Sequence, residues 1–266
     1  MLVILGQGYS GRFIAEAARA VGLPVLGVRR RAGDACLAFD DPALPDALAG
    51  ATHILSSVPP DAASGDDPVL ARFGGLLERH PGWLGYLSST GVYGDTGGAW
   101  VDESAPVGGG RRSARTAADL GWQALGATVF RLPGIYGPGR SALDQVRAGT
   151  ARRIDRPGHR FNRVHVADIA GAVVAAMDQR AGGIFNLVDE RPAEPRHVTE
   201  FACGLLGAPL PPLEPLEMAT LSVMARGFWS ERRLVASARL AKCLGYRLRH
   251  PDYKAGLTAI RAGESR

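Results

Sequence analysis

A glycine-rich segment near the start of the chain has the residue types and spacing that bind phosphate groups. Gly6, Gly8 and Gly11 form a G-x-G-x-x-G pattern directly after an apolar run. In a strand–turn–helix unit, the first glycine permits a tight turn, the second lets a pyrophosphate approach the backbone, and the third lets the helix pack on the strand. The helix then offers free N–H donors to the anion. The pattern predicts a dinucleotide site that includes Tyr9 and Ser10.

The residues after the second apolar run bear on which dinucleotide is bound. A site for NAD(H) places Asp or Glu here, which accepts hydrogen bonds from the adenosine ribose hydroxyls. This chain has Arg29-Arg30-Arg31 instead. Guanidinium groups cannot accept those bonds, but they bind a 2′-phosphate through two parallel hydrogen bonds. We therefore expect NADP(H) in preference to NAD(H), with Arg29 and Arg30 as ligands, and a solvated basic turn as the alternative.

The residues at the ends of the third and fourth apolar runs are expected to complete the cofactor site. Asp40 ends the third apolar run and could accept from the adenine amino group, although an acid there would equally serve a plain turn and helix start. The segment Ser57–Pro60 ends the fourth run, at the edge of the sheet where ligands of open α/β sheets bind. The backbone at Val58 and Pro59 is expected to form one wall of the site.

The elements that would position these residues alternate regularly through the first half of the chain. Short apolar runs bounded by turn residues alternate with helix-length segments, which is typical of βαβ units and a parallel sheet. The predicted strands are Met1–Leu5, Pro24–Val28, Ala35–Phe39, His53–Ser57, Leu84–Ser88 and Ala127–Leu132, and the predicted helices are Ser10–Val21, Pro42–Ala49, Pro68–His80 and Arg112–Leu125. These six strands predict a Rossmann-type, doubly wound parallel α/β sheet with helices on both faces.

The pattern loosens after Pro133, where a small C-terminal substrate lobe is expected. The sequence there predicts a strand over Asn162–Val166, a helix over Asp168–Met177 capped by Asp168, and a strand over Gly183–Val188. The prolines of Ala208–Leu216 exclude a continuous helix.

We predict one NAD(P)-binding Rossmann domain over residues 1–266. Its core lies mainly in 1–135, and its substrate lobe lies mainly in 136–165 and 189–250.

The composition is typical of a soluble globular protein. Of 266 residues, 46% are hydrophobic and 21% are charged, and the net charge of +5 comes from basic residues spread along the chain. A nucleic-acid surface has a denser basic stripe, and a membrane span needs about 18 consecutive apolar residues. The three cysteines lack the spacing of a disulfide framework or a zinc site. We expect a cytoplasmic protein that binds a small molecule, without a metal, a nucleic acid or a membrane as partner.

Four blocks in a fixed order make the chain similar to a known superfamily. They are Leu87–Asp95 (LSSTGVYGD), Val101–Glu103 (VDE), Arg131–Gly139 (RLPGIYGPG) and Asn162–Ala170 (NRVHVADIA). With the glycine pattern they extend over nearly the whole chain. The sequence resembles the short-chain dehydrogenase/reductase superfamily, in its extended branch of nucleotide-sugar epimerases and dehydratases.

The resemblance implies a substrate-orienting Ser or Thr after the fifth strand, and a Tyr-x-x-x-Lys acid/base pair in the next helix. Ser89 matches the first role. The only lysines are Lys242 and Lys254, both close to the C-terminus, so the pair is absent from that helix. The chain therefore looks like an atypical member of the superfamily.

Two registers stay open for the positions of the missing pair. With Asp119 as anchor, Arg115 stands at the lysine position and Arg111 at the tyrosine position, whereas another register places Ala114 and Ala118 there. An arginine stays protonated and cannot exchange a proton at working pH. Arg115 could still hold the nicotinamide ribose by its charge, or it could pair with Asp119 on the helix surface.

The block that contains Ser89 also supplies the candidate acid. Thr90 and Gly91 stand where the dehydratases have an Asp-Glu pair, which argues against dehydration chemistry. Tyr93 is the best remaining acid near Ser89, because a phenol can donate a proton to a developing alkoxide. Packing beneath the site is the alternative role for Tyr93.

The resemblance places the backbone after the sixth strand, at Pro133 and Ile135, against the nicotinamide. Arg140 could then meet an anionic substrate group or remain solvated. His165 on a predicted strand fits a hydrogen-bonded, half-buried role better than a catalytic one. Other groups without decisive context are Asp102, Glu103, His159-Arg160 and Arg232-Arg233, the two pairs being either phosphate-binding or only surface.

Two functions remain in competition. The first is an NADP(H)-binding oxidoreductase or epimerase-like enzyme with a nonstandard acid/base, acting on a small carbonyl or nucleotide-sugar-like substrate. The alternative is a non-catalytic NADP(H)-sensing regulatory protein, which explains the missing pair more directly. The resemblance permits a homodimer through paired helices, to which residues 112–125 could contribute.

Overall fold

A computed structural model describes residues 1–33, 36–110, 113–220 and 223–264. The strands are β1 Leu2–Leu5, β2 Val25–Arg29, β3 Cys36–Ala38, β4 His53–Ser56, β5 Trp83–Ser89, β6 Trp100–Val101, β7 Thr128–Leu132, β8 Gly134–Tyr136, β9 Arg153–Asp155, β10 Arg163–His165, β11 Ile184–Asn186, β12 Leu213–Pro215 and β13 Leu234–Val235. The helices are α1 Tyr9–Ala20, α2 Leu44–Ala49, α3 Pro68–Glu78, α4 Ser113–Ala124, α5 Ala142–Arg147, α6 Val166–Asp178, α7 Pro195–Leu206, α8 Val223–Trp229, α9 Leu240–Leu244 and α10 Tyr253–Gly263, with a 3-10 helix over Thr90–Tyr93.

Seven parallel strands form the central sheet, in the order β3-β2-β1-β4-β5-β7-β11. From β1 the chain adds β2 and β3 on one side, and from β4 it adds β5, β7 and β11 on the other side. This reversal confirms the predicted Rossmann-type doubly wound fold, and it places a crevice at the carboxyl ends of β1 and β4.

Both faces of the sheet are buried, which explains the uninterrupted apolar sequence of β1. Its side chains alternate between two hydrophobic cores, with Leu2 and Ile4 in one and Val3 and Leu5 in the other. The first core lies beneath α1 and α6, which pack against each other, and the second lies beneath α3 and α4. Continuous apolar strands are expected wherever helices cover both faces of a parallel sheet.

The six predicted strands and the helices between them are confirmed, with ends that agree within two residues. The predicted ends at Ala35 and Arg112 lie outside the described residues. The sheet is one strand wider than predicted, because Ile184–Asn186 pairs with β7. Beyond the sheet, β8, α5, α7 and α10 contribute to a further hydrophobic cluster that includes Leu143 and Leu257.

The prediction that Asp168 caps the sixth helix is wrong. His165 is the N-cap, and its Nδ1 accepts from the backbone N–H of Ala167 at 3.2 Å. The Asp168 carboxylate instead accepts from the backbone N–H groups of Arg249 and His250, at 2.6 and 3.1 Å. It thereby holds the segment before α10 against α6.

None of the helices in the described parts of the chain has the length and apolar character needed to cross a membrane.

Candidate functional site

A cleft of about 1310 Å³ lies along the carboxyl edge of the central sheet, and we call it the main cleft. Residues from the loops after β1, β2, β4, β5 and β7 line it, together with residues of the segment 228–235. The loops after β1 and β4 diverge because the strand order reverses between these neighbours. Of the residues predicted from sequence to form the site, Gly11, Asp40 and Tyr93 lie outside its lining.

The glycine pattern forms the turn between β1 and α1. Gly6 has a φ of +82°, and a Cβ there would lie 3.0 Å from Ser57 Oγ, so both the conformation and the space require glycine. A Cβ on Gly8 would meet only the Gly6 carbonyl oxygen, at 3.9 Å, which leaves room on the cleft side. Gly11 is buried, and a Cβ there would lie 3.4 Å from Ile4. Its position fits close packing of helix on strand.

The first turn of α1 is free to bind an anion. Gly8 is its N-cap and makes no side-chain cap hydrogen bond, and the turn contains no acidic residue. The N–H groups at residues such as Tyr9 and Ser10 therefore have no capping oxygen, and both residues line the main cleft. An open helix N-terminus beside an uncrowded glycine fits a pyrophosphate.

A side chain within the glycine pattern fixes the position of the turn, and sequence reasoning did not assign it a role. The amide of Gln7 is buried against β2, where a Cβ on Gly27 would lie 1.5 Å from its Oε1. The thiol of Cys36 donates to the same oxygen at 3.0 Å. A side chain at residue 27 would therefore displace the Gln7 amide from this position, and no local pattern reveals that the two residues meet.

Arg29 and Arg30 both line the main cleft at the end of β2, whereas Arg31 does not. The Nε of Arg29 donates to the backbone oxygen of Gln7 at 3.1 Å, which fixes its guanidinium beside the glycine turn. Arg30 is exposed. The two cations therefore lie where the adenosine end of a dinucleotide would pass.

The loop after β4 forms the opposite wall, as expected for Val58 and Pro59. The hydroxyl of Ser57 donates to the Gly6 carbonyl oxygen at 2.6 Å, so this wall is joined to the glycine turn. Asp40 is exposed and does not line the cleft, whereas the preceding Phe39 does. The expected role of Asp40 at the adenine is not supported by this position.

Ser89 lies at the end of β5 and lines the main cleft. Its Oγ accepts from the N–H of Gly91 at 3.1 Å, as the cap of the 3-10 helix that follows. This bond uses an oxygen lone pair and leaves the hydroxyl hydrogen available to a ligand. Ser89 can therefore donate to a substrate oxygen.

Arg115 faces the same cleft from α4 and is not paired with Asp119. Its Nη1 donates to the hydroxyl of Tyr86 at 2.9 Å. Tyr86 is fully buried and stacks on Trp122 with the two rings 7° from parallel. Burial raises the pKa of Tyr86 to about 12, so the phenol remains neutral and accepts from Arg115. Arg111, the residue at the tyrosine position in this register, lies outside the described residues.

Tyr93 does not reach the cleft, which corrects the expectation that it is the acid. It is 5% exposed, and its hydroxyl donates to Asn186 Oδ1 at 2.9 Å and accepts from Arg131 Nη1 at 3.0 Å. Burial raises the pKa of the Tyr93 phenol above its usual value. The residue belongs to a buried polar network, in agreement with the alternative of packing beneath the site.

The remaining predicted groups divide between cleft and interior. Pro133, Ile135 and Arg140 line the main cleft, with the Arg140 guanidinium 5.5 Å from the centre of the Tyr9 ring. Glu103 is buried and accepts from the N–H of Asn186, which is a structural role. Neither Asp102 nor Glu103 lines the cleft.

His165 is buried beside α6 and not in the main cleft. Burial lowers its pKa to about 4, so it is neutral near pH 7. It offers one of three possible metal ligands, with Asp168 and His250, within 4.8 Å of one another. The Asp168 oxygens already accept from Tyr246, from His250 and from two backbone N–H groups. We interpret the cluster as a set of hydrogen bonds that connects α6 to the segment before α10.

Sequence reasoning missed most of one wall of the main cleft. This wall consists of Phe161, Asn162, Phe228, Glu231, Arg233 and Val235. Of these residues, the sequence suggested a role only for Arg233, which with Arg232 was expected either to bind phosphate or to lie on the surface. The missed residues lie on short, irregular elements, so no periodicity marks them.

Comparison with solved structures places the chain beside proteins of the same architecture. A conserved protein of unknown function from Silicibacter pomeroyi is 38% identical, with a TM-score of 0.88 and coverage of 100% of this chain and 99% of that one. A proposed NAD-dependent epimerase/dehydratase from Methylobacillus flagellatus is 25% identical, with a TM-score of 0.75 and coverage of 100% and 98%. The human epimerase family protein SDR39U1, solved with NADPH, shares the fold at 19% identity, with a TM-score of 0.75 and coverage of 98% and 99%.

Matches to curated proteins are partial. A 3-diazoavenalumate denitrifying reductase from Streptomyces is 29% identical over 146 residues, which are 50% of this chain and 46% of that protein. Protein YeeZ of Escherichia coli K12 is 29% identical over 175 residues, or 63% and 58%. The chain thus spans about half the length of the curated relatives it matches. No protein-family model matches the chain. Together these neighbours support the resemblance at the level of the superfamily.

Proposed function

This chain belongs to the same family as the conserved protein of unknown function from Silicibacter pomeroyi, and on that premise we propose that it is an NADP(H)-dependent oxidoreductase for a small carbonyl compound. The observation that carries the proposal is the composition of the main cleft. One end has the uncapped start of α1 and two arginines, and the loop after β5 contributes Ser89. The core at 1–135 holds the nucleotide, and segments of 136–165 and 189–250 form the substrate side.

The proposal that NADP(H) binds rests on how well the cleft residues fit the pyrophosphate and the 2′-phosphate of this cofactor. The N-terminus of α1 and the open side of Gly8 suit the pyrophosphate. Arg30 is free to bind a 2′-phosphate, and Arg29 adds charge beside it. The likeness to a human structure solved with NADPH and to a protein named as a reductase agrees with this reading.

The chemistry asked of the chain itself is modest. When bound, NADPH supplies a hydride to the carbonyl carbon. Ser89 donates a hydrogen bond to the carbonyl oxygen, and the fixed charge of Arg115 stabilises the negative charge that develops there. The oxygen then takes its proton from water, because Ser89 and Arg115 are poor acids near neutral pH. A slow enzyme is expected without the Tyr-x-x-x-Lys pair.

The alternative of an NADP(H)-sensing protein explains the same cofactor site without turnover. The size of the main cleft favours an enzyme, since about 1310 Å³ is larger than the roughly 300–1,000 Å³ of most pockets for a single small molecule. A sensor would more simply close over its cofactor and present an exposed apolar surface.

Calorimetric titration with NADPH and NADH tests the proposal first. Arg30→Asp should weaken NADPH binding at least about ten-fold and leave NADH binding nearly unchanged. Arg31→Asp is the matched control, because it makes the same charge change on the adjacent residue outside the cleft. Equal losses in the two variants, or no binding of either dinucleotide, would reject the NADP(H) assignment.

A further inference from the structure

The wall of the main cleft that sequence reasoning missed is rich in aromatic side chains. Phe161 is part of a rigid aromatic group, with its ring 4.8 Å from that of His159 and 5.3 Å from that of Trp229. Phe228, which precedes Trp229 in the chain, also lines the main cleft, and 47% of its surface is exposed. Aromatic side chains in a cleft lining favour a ligand with a flat ring.

This aromatic wall is tied to the end of the cleft where Ser89 lies. The amide of Asn162, next to Phe161, bonds both the backbone N–H and the carbonyl of Val235, each at 2.9 Å. Val235 also belongs to the hydrophobic cluster that contains Val92, a residue of the 3-10 helix that Ser89 caps. The wall and the start of that helix therefore share a packed cluster and line the same cleft.

Arg233 adds a charge that is held in place. Its Nε donates to the carbonyl oxygen of Gly94 at 2.7 Å, and its Nη2 contacts Glu231. Among the described residues, Nη1 has no hydrogen-bond partner, while the side chain lines the main cleft and is 16% exposed. A guanidinium immobilised through two nitrogens loses little entropy when the third binds an oxygen anion.

Charges along the main cleft favour an anion. Among the described residues, the cleft is lined by two carboxylates, Asp61 and Glu231, and Arg233 already contacts Glu231. The arginines that line it are Arg12, Arg29, Arg30, Arg115, Arg140 and Arg233. The wall has few free polar groups, because the amide of Asn162 is used by Val235. A sugar presents many hydroxyl groups that would need partners here, whereas an aromatic ring does not.

We propose that the substrate is an aromatic carbonyl compound with a carboxylate, whose ring packs on Phe161 and Phe228 while Arg233 binds the carboxylate. This inference rests on the proposed function and specifies its substrate class. The carbonyl then lies toward Ser89, and the carboxylate selects the orientation of the ring in the cleft.

Calorimetric titration of the protein saturated with NADP⁺ tests the substrate class. The probes are 4-acetylbenzoate, its methyl ester, pyruvate and UDP-glucose. We expect 4-acetylbenzoate to bind at least about ten-fold more tightly than the ester, which lacks the charge, and than pyruvate, which lacks the ring. Tighter binding of UDP-glucose, or equal binding of acid and ester, overturns the inference. The ester comparison needs no variant, so it does not depend on the folding of one.

Variants then locate the contact. Arg233→Met should reduce binding of 4-acetylbenzoate to that of the ester, and Arg232→Met is the matched control, since the neighbouring side chain is exposed and outside the cleft. Phe228→Ala should weaken both aromatic probes and leave pyruvate unchanged. Equal effects of the two arginine variants overturn the role of Arg233. If NADP⁺ itself does not bind, the proposed function fails; if it binds but no aromatic acid does, only this inference fails.

Discussion

Asp119 and Arg131 are joined by two hydrogen bonds, 2.8 Å from Nη2 and 3.1 Å from Nε, with 0% and 2% of their side chains exposed. Asp119 also accepts from Ser88 at 2.6 Å, and Arg131 donates to Tyr93 at 3.0 Å. The pair therefore joins α4 to β5, β7 and the start of the segment after Ser89. Through Ser88 it also supports the end of β5, where Ser89 lines the main cleft.

Removal of one partner of this pair should leave a buried charge without compensation. We expect Asp119→Ala to lower the free energy of unfolding by about 3–5 kcal/mol, measured by urea denaturation. The exposed pair of Arg147 and Glu264 is the control, and Glu264→Ala should cost at most about 1 kcal/mol. Similar losses in the two variants would show that the buried pair has no special importance.

The glycine turn predicts different outcomes for two Gly→Ala substitutions. Gly8→Ala should fold normally, because its Cβ meets only one atom at 3.9 Å, but it should weaken NADPH binding at least about ten-fold by filling the pyrophosphate approach. Gly6→Ala should also lower the melting temperature, since its φ is +82°. Calorimetry and thermal melts separate the two effects. Normal NADPH binding by a folded Gly8→Ala protein would argue against this anion site.

Tyr86 should act on NADPH binding through Arg115, on the hypothesis from the sequence that the charge of Arg115 also holds the nicotinamide ribose. Tyr86→Phe keeps the stacking on Trp122 but removes the acceptor of the Arg115 hydrogen bond. We expect NADPH binding to weaken by about three- to ten-fold in Tyr86→Phe and in Arg115→Met, with no further loss in the double variant. Additive losses in calorimetry would mean that the two residues act independently.

His159 should make the fold sensitive to acid. Burial, with smaller contributions from Arg156 and Arg232, lowers its pKa from 6.5 to about 4, so the unfolded chain takes up a proton that the folded protein resists. Stability is therefore full above about pH 6.5 and falls as the pH drops toward 4. His159→Phe should remove up to about 3 kcal/mol of this loss in denaturation at a series of pH values. If the variant loses as much stability as the wild type between about pH 6.5 and pH 4, His159 is not the cause of the acid sensitivity.

Asp189 should have the opposite effect. Burial raises its pKa from 3.8 to about 7, and its Oδ2 has no partner among the described residues. The folded protein holds this proton more tightly than the unfolded chain, so the stabilising contribution is lost as the pH rises through 7. Asp189→Asn can keep the 2.9 Å bond from the N–H of Arg163. It should be more stable than the wild type at about pH 8 and nearly equal at about pH 4.

Several features of the site could be read from the sequence because they are local. Gly6, Gly8 and Gly11 follow a strand and open a helix at the spacing that a tight turn needs, and the structure places them so. The strand ends at Arg29 and Val58 could likewise be placed, because parallel strands bring their carboxyl ends to one edge. The preference for NADP(H), the division into core and lobe, and the possible homodimer stay predictions.

Other assignments failed because they depend on partners far away in the chain. Tyr93 was expected at the substrate, but a buried arginine 38 residues away and Asn186, 93 residues away, hold its hydroxyl in the interior. Asp168 was expected to cap a helix, but it binds a segment 81 residues further on. Neither partner leaves a periodic signal in the sequence around the residue.

The sequence by itself determined the doubly wound sheet and the glycine turn, because apolar periodicity and backbone conformational freedom are properties of neighbouring residues. Only the tertiary structure decided which side chains face the main cleft. Arg115, Phe228 and Arg233 reach it through contacts between distant elements, and such contacts form only when the whole chain is packed. The wall of the main cleft that contains Phe228 and Arg233 therefore depends on tertiary packing, whereas the glycine turn depends on local sequence.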